Sequence, residues 1–128
     1  NCGLVGTVDV SLAFGRMLLP EGVAVDGRRL LSADSVRLLI TDHTTDAQRM
    51  IGELFLEGQG WGFGGSVDIA PIDPWNVLGR YGWIGGKGTS AHITPSRGTV
   101  AILLAQVAAD SPTPAEWMRA FWQYASAR

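Results

Sequence analysis

The stretch Tyr81-Gly82-Trp83-Ile84-Gly85-Gly86-Lys87-Gly88-Thr89-Ser90, running on to Pro95, decides how this chain is read. Its glycines at 82, 85, 86 and 88 place four residues without side chains in seven positions. Such a run cannot fill a core, but it lets a backbone come close to another group. Ser90 to Thr94 follows, then a Pro-Ser-Arg-Gly turn at 95–98 and the apolar run Thr99 to Val107. The pattern predicts a hairpin with strands at about 80–94 and 98–107, the first glycine-rich and the second buried. A glycine-lined strand backed by a buried one is suited to presenting main-chain N–H groups to a substrate carbonyl.

Upstream of the hairpin, Thr7 is placed to cap a helix carrying Val10, Phe14, Met17 and Leu18 on one face, stopped by Pro20. Glu21 to Arg29 reads as a turn-rich connection bending at Asp26-Gly27. Ser32 caps a second helix, with Asp34 in its first turn and Val36, Leu39 and Ile40 inward. A short helix is expected around Asp46 to Leu54, opposed by Gly52. Gly60 to Ile69 reads as a strand and Pro71 to Leu78 as an irregular loop. After Pro112 and Pro114 comes a final helix with an aromatic stripe of Trp117, Phe121 and Tyr124. Antiparallel strands with flanking helices make the fold class α+β, in one unit spanning 1–128.

Composition narrows the partners. The chain of 128 residues is 46% hydrophobic and 17% charged, as globular domains are. A net charge of −2 offers no basic footprint for nucleic acid or an anionic membrane. The apolar stretch near 99–109 is too short to span a bilayer. One cysteine, Cys2, excludes an internal disulfide and leaves the compartment open.

Other motifs are better explained without chemistry. Gly60-x-Gly62-x-x-Gly65 has dinucleotide-site spacing, yet Val67-Asp68-Ile69 continues a strand where a helix is required. Gly86-Lys87-Gly88-Thr89 lacks the Gly-Lys-Ser/Thr of a phosphate loop because Gly88 intervenes. Ser66 lacks the second glycine of a nucleophile elbow. His43 and His92 are too few for a metal site, and His43 is placed to end a helix. Asp9, Asp42 and Asp46 are read as caps or surface residues. Neither metal nor cofactor is expected.

The chain resembles the C-terminal part of the serine β-lactamase-like hydrolases, the group of class C β-lactamases, D-amino-acid peptidases and related esterases. In that family a Lys-Thr-Gly, His-x-Gly or Trp-x-Gly triplet marks the strand that walls the active site, and Trp83-Ile84-Gly85 is similar to its tryptophan form. Gly-x-Gly-Thr at 86–89, Pro95, Leu-Leu-Ala-Gln at 103–106 and the aromatic final helix fall in family order. So do Gly3-Leu4, the Phe14 to Leu19 helix, the Gly27 to Ser32 loop and Trp61-Gly62-Phe63-Gly64. Counted against class C lactamase spacing, Arg80-Tyr81-Gly82 fits the triplet instead and would restore a cation; Trp83 to Pro95 matches the esterases without a gap.

The resemblance implies roles. Gly86 would donate its backbone N–H to an oxyanion. Gly85 would let the acyl portion lie flat, and Trp83 and Ile84 would line the substrate pocket, favouring esters or amides over lactams. The single lysine, Lys87, has Ile84 three residues before it, so the family's nucleophile motif Ser-x-x-Lys is absent, as is Tyr-x-Asn. The chain also starts at Asn1. It is therefore expected to be the C-terminal portion of a longer hydrolase, not catalytic alone, and to lack the N-terminal strand that pairs with 98–107. Self-association through the exposed edge is the expected consequence. The other reading is a non-catalytic binding or structural module of the same fold. An upstream Ser-x-x-Lys and Tyr-x-Asn separate the two.

Overall fold

A computed structural model describes residues 5–52 and 55–127. Helix α1, Val8–Leu18, starts where the Thr7 hydroxyl accepts the Val10 amide at 3.4 Å, with Asp9 and Arg16 complementing the helix dipole at its two ends. The chain then reverses through Glu21 and Gly22, both at positive φ. Gly22 is required there: its carbonyl accepts the Leu30 and Leu31 amides, and a Cβ would overlap the Leu31 carbonyl oxygen. A small hairpin bends at Asp26-Gly27 and leads to Ser32, which caps helix α2, Ala33–Ile40. Helix α3, Asp46–Ile51, opens with a reciprocal Thr45–Gln48 capping box and stops at Gly52. Residues 53 and 54, where the expected helix ended, lie outside the described residues, as do Cys2 and Gly3-Leu4.

Five strands form one antiparallel meander: β1 Gln59–Trp61, β2 Ser66–Asp68, β3 Tyr81–Gly85, β4 Thr89–Thr94 and β5 Thr99–Leu104. The architecture is α+β. Two spans read as single strands are in fact hairpins. Gly60 to Ile69 folds back at Phe63-Gly64, where Gly64 has φ +89°, and 80–94 folds back at Gly86-Lys87-Gly88. In both cases glycines that a straight strand tolerates are used for a turn.

Register sorts the side chains. Val67, Tyr81, Ile93 and Val100 stand opposite one another across four strands and meet Met17, Leu18 and Val36 of α1 and α2. On the other face helix α4, Glu116–Ser126, covers Ile84 and Leu103 together with Trp75. The inward residues of α4 are Met118 and Trp122 with Phe121 beside them, whereas Trp117 and Tyr124 of the expected stripe are exposed. Trp122 takes the inward place because its Nε1–H reaches the Ser90 hydroxyl at 3.0 Å in the core. Two residues of the α1 stripe, Val10 and Phe14, are likewise exposed.

The strand expected at 98–107 lies at the sheet edge, as the missing-partner reading expects, but it is half-buried where the pattern predicts a buried strand. Among the described residues β5 pairs only with β4; its residues 99–103 are half-buried and Leu104 is exposed. It stops at Leu104, after which residues 105–109 turn back over the β3–β4 turn. The opposite edge is closed: the Trp61 amide of β1 donates to Asp42 Oδ1 and the Trp61 carbonyl accepts the His43 amide.

Candidate functional site

The residues singled out from the sequence meet at the end of β3. Gly85 is its last residue, and Gly86 opens the turn into β4. Gly88 closes that turn by donating to the Gly85 carbonyl at 3.0 Å, with φ +76°. A Cβ on Gly88 would overlap the Val107 carbonyl oxygen, so glycine is what lets the 105–109 segment lie against the turn. The Ala109 and Ala105 amides then bond the Gly86 and Gly88 carbonyls at 2.9 and 3.2 Å.

The Gly86 amide has no acceptor among the described residues, and a Cβ built on Gly86 meets nothing within 4 Å. Its carbonyl is held by the Ala109 amide, and the place a side chain would take is open. Such an amide costs no reorganisation when an anionic oxygen arrives.

Trp83 and Ile84 line one small cavity together with Phe55, Trp75 and Trp122, but their main packing partners differ. The Trp83 ring lies 4.4 Å from that of Trp61, edge to face, and 4.7 Å from that of Phe55. Ile84 packs against the Trp75–Met118–Trp122 core under α4. Only Trp83 of this pair forms part of an accessible aromatic surface beside the turn. Phe55 was not visible as a partner from sequence, since it lies in the weakly patterned 43–58 region.

Asp42, expected at a cap or on the surface, anchors this surface from behind. Its Oδ1 accepts the Thr44 amide and hydroxyl and the Trp61 amide, and its Oδ2 accepts Arg49 Nη1 at 2.8 Å. Burial pushes its carboxyl up, but these hydrogen bonds and the Arg49 charge outweigh it and hold the carboxyl below its usual range. His43 beside it donates from Nε2 to the Leu38 carbonyl at the end of α2, 2.7 Å away.

A second polar cluster lies beneath the sheet. Asp68 accepts Arg80 Nε and the Val77 amide at Oδ2 and Gln59 Nε2 at Oδ1, each at 2.9 Å. The Arg80 guanidinium sits 4.7 Å over the Trp75 ring and 5.2 Å over that of Trp122. Burial lowers its pKa, opposed by Asp68. Its charge is thus committed to Asp68 and two indoles, and is not offered to a ligand as an Arg80-Tyr81-Gly82 triplet would require.

His92 is buried edge-on to Trp122, and burial, with Arg80 nearby, holds its pKa well below the usual histidine value. Ser66 and His92 both stand opposite Gly82 in register, with Asp68 two residues along. They make no catalytic triad. The Ser66 hydroxyl donates to the Gly82 carbonyl, Asp68 is taken by Arg80, and His92 Nδ1 bonds neither. All three are buried. Among the described residues no group of three or more His, Cys, Asp or Glu side chains is placed to hold a metal ion. Nor is any helix among them long and apolar enough to cross a membrane.

No family model matches the chain. It is similar to two proteins of Mycobacterium tuberculosis, Protein Rv1367c and the one named Uncharacterized protein MT1414. Each is 39% identical over an alignment of 112 positions that covers 81% of this chain and 28% of the relative. The chain therefore spans less than a third of the length of the curated relatives it matches.

Proposed function

We propose that this chain is part of a serine hydrolase, related to the β-lactamases and esterases, that works through an acyl-enzyme. The chain supplies the oxyanion strand and is not catalytic by itself. One observation carries the reading: the amide of Gly86, directly after the strand that Trp83-Ile84-Gly85 end, has no acceptor among the described residues. An unpartnered amide in a turn fixed by the Gly88 bond to the Gly85 carbonyl and the Ala109 bond to the Gly86 carbonyl is the part that acyl transfer needs from such a strand.

The roles follow from position. Gly86 donates to the developing oxyanion, and the second donor is the amide of a nucleophile outside this chain. Gly85 carries no side chain, and the place a Cβ would take is held by the Thr89 hydroxyl across the hairpin, so the acyl group meets Thr89 Oγ1 there. Trp83, braced by Trp61 and Phe55, forms an uncharged wall, and Arg80, held by Asp68, is not free to fix a lactam carboxylate. Ester or amide substrates are therefore favoured over lactams. Ile84 acts through packing, since it lies on the α4 side.

The test uses the protein encoded by the complete reading frame that contains this segment. Labelling by a fluorophosphonate at a serine of Ser-x-x-Lys, with turnover of a short-chain 4-nitrophenyl ester exceeding that of a chromogenic cephalosporin, is the expected result. A complete protein that is neither labelled nor active on either reagent overturns the hydrolase reading and leaves a non-catalytic module.

A further inference from the structure

Between α1 and strands β3 to β5 the structure holds a space of about 160 Å3. Its floor is made of small residues, Gly82 and Ala91 on the sheet and Ser11 on the helix, with Phe14, Tyr81 and Trp83 around them. The space is a cleft open to solvent, with Ala91 and Phe14 exposed along it, and the packing of α1 keeps it from closing. The cause is visible one turn along the helix. Gly15 already brings α1 into contact with β5, since a Cβ there would lie 2.8 Å from Val100 Cγ1. The helix cannot settle closer to the sheet, and the space ahead of Gly15 stays open. Phe14 at its mouth is 53% exposed, although the sequence pattern places it on the inward face of α1.

The lining fixes what fits. No Asp, Glu, Lys or Arg contributes to it. Its hydroxyl groups are already engaged: Ser11 donates to the Thr7 carbonyl at 3.2 Å and Tyr81 to the Phe63 carbonyl at 2.8 Å. His92 also lines it, a buried histidine whose burial holds its pKa well below the usual value and whose Nδ1 has no partner among the described residues. A charged occupant would be stripped of water without compensation, and one rich in hydrogen-bonding groups would find few partners.

We propose that this space is a binding pocket for an uncharged hydrocarbon or aryl group. Its role as the site for part of a substrate rests on the hydrolase reading. Trp83 belongs both to the pocket and to the candidate strand, three residues and about 10 Å from Gly86. A substrate with its carbonyl at Gly86 places an apolar acyl or leaving group of that reach in the pocket.

The experiment titrates the chain with toluene and, separately, with benzoate, following backbone amide shifts by NMR. Toluene is expected to shift the Gly82 and Ala91 amides while benzoate at equal concentration leaves them unmoved. Ala91→Leu fills the pocket from the sheet and Ser11→Leu from the helix, and each is expected to weaken toluene about tenfold or more. Either variant suffices if the other fails to fold. No toluene shift, an equal response to benzoate, or unchanged affinity in a folded filled variant overturns the pocket. Toluene binding with no fluorophosphonate labelling of the complete protein overturns the hydrolase reading and leaves the pocket standing. Labelling without toluene binding does the reverse.

Discussion

Asp68 and Arg80, twelve residues apart, form an ion pair with Oδ2 and Nε separated by 2.9 Å and side chains 0% and 5% exposed. The pair ties the end of β2 to the residue before β3, and so sets where the candidate strand begins. Removing one partner leaves the other charged, buried and unpaired. Asp68→Asn is expected to lower stability by about 3–5 kcal/mol. The double variant Asp68→Leu with Arg80→Met is expected to recover much of that loss. Urea unfolding followed by tryptophan fluorescence measures both, and a single variant as stable as wild type contradicts the assignment.

His92 makes stability depend on pH in a defined window. Its folded pKa lies well below its ordinary value because it is buried, with Arg80 adding to the effect. Below the unfolded pKa of about 6.5 the unfolded chain takes up a proton that the folded chain refuses. Stability from this source is therefore full above that pH and falls as the pH drops toward the folded pKa, by up to about 1.4 kcal/mol per unit. Asp42 adds a separate loss only in stronger acid, below the ordinary carboxylate range, because its folded pKa is depressed. Urea midpoints at pH 7.5, 6.5 and 5.5 check the claim. His92→Phe keeps a ring against Trp122 and is expected to flatten the decline over that window.

Two glycines at positive φ separate conformational strain from steric need. Gly27, with φ +85°, has nothing within 4 Å of where a Cβ would stand, so Gly27→Ala is expected to cost about 1–2 kcal/mol from backbone strain alone. Gly22, with φ +96°, would also drive its Cβ into the Leu31 carbonyl. Gly22→Ala is expected to cost clearly more, read as a lower thermal midpoint than that of Gly27→Ala. Equal midpoints would mean the turn after α1 yields easily.

The free edge of β5 leads to the fourth prediction. Among the described residues Val100 to Leu104 is an apolar run paired on one side only, while the β1 edge is closed by Asp42 and His43. The isolated chain is expected to self-associate with rising concentration in sedimentation velocity, and Leu104→Lys to suppress it. A monomer at every concentration would argue that this edge needs no neighbour.

Much of the fold was legible because local chemistry dictated it. Thr7 and Ser32 cap helices where their hydroxyls reach the first free amides, and Gly98, at φ +65°, ends the turn after Pro95 as the sequence implies. What escaped depends on contacts distant in sequence. Gly64 and Gly86 to Gly88 serve a strand or a turn equally well until the partner strand is known. The aromatic stripe of the last helix misled because Trp122 gains Ser90 and the Arg80–Trp75 stack, 32 or more residues away. At the candidate site the triplet itself was visible, but not that Ile84 turns toward α4 or that Phe55 and Trp61 brace Trp83.

The Gly86 amide is the centre of the proposed chemistry, and one comparison in the complete protein tests it most directly. Gly86→Pro removes the N–H but keeps the carbonyl that Ala109 bonds, whereas Gly86→Ala keeps both and adds a methyl group into empty space. The expected result is that kcat/KM for a 4-nitrophenyl ester falls about 100- to 1,000-fold in Gly86→Pro and stays near wild type in Gly86→Ala, with both variants folded. Full activity in a folded Gly86→Pro protein would contradict it.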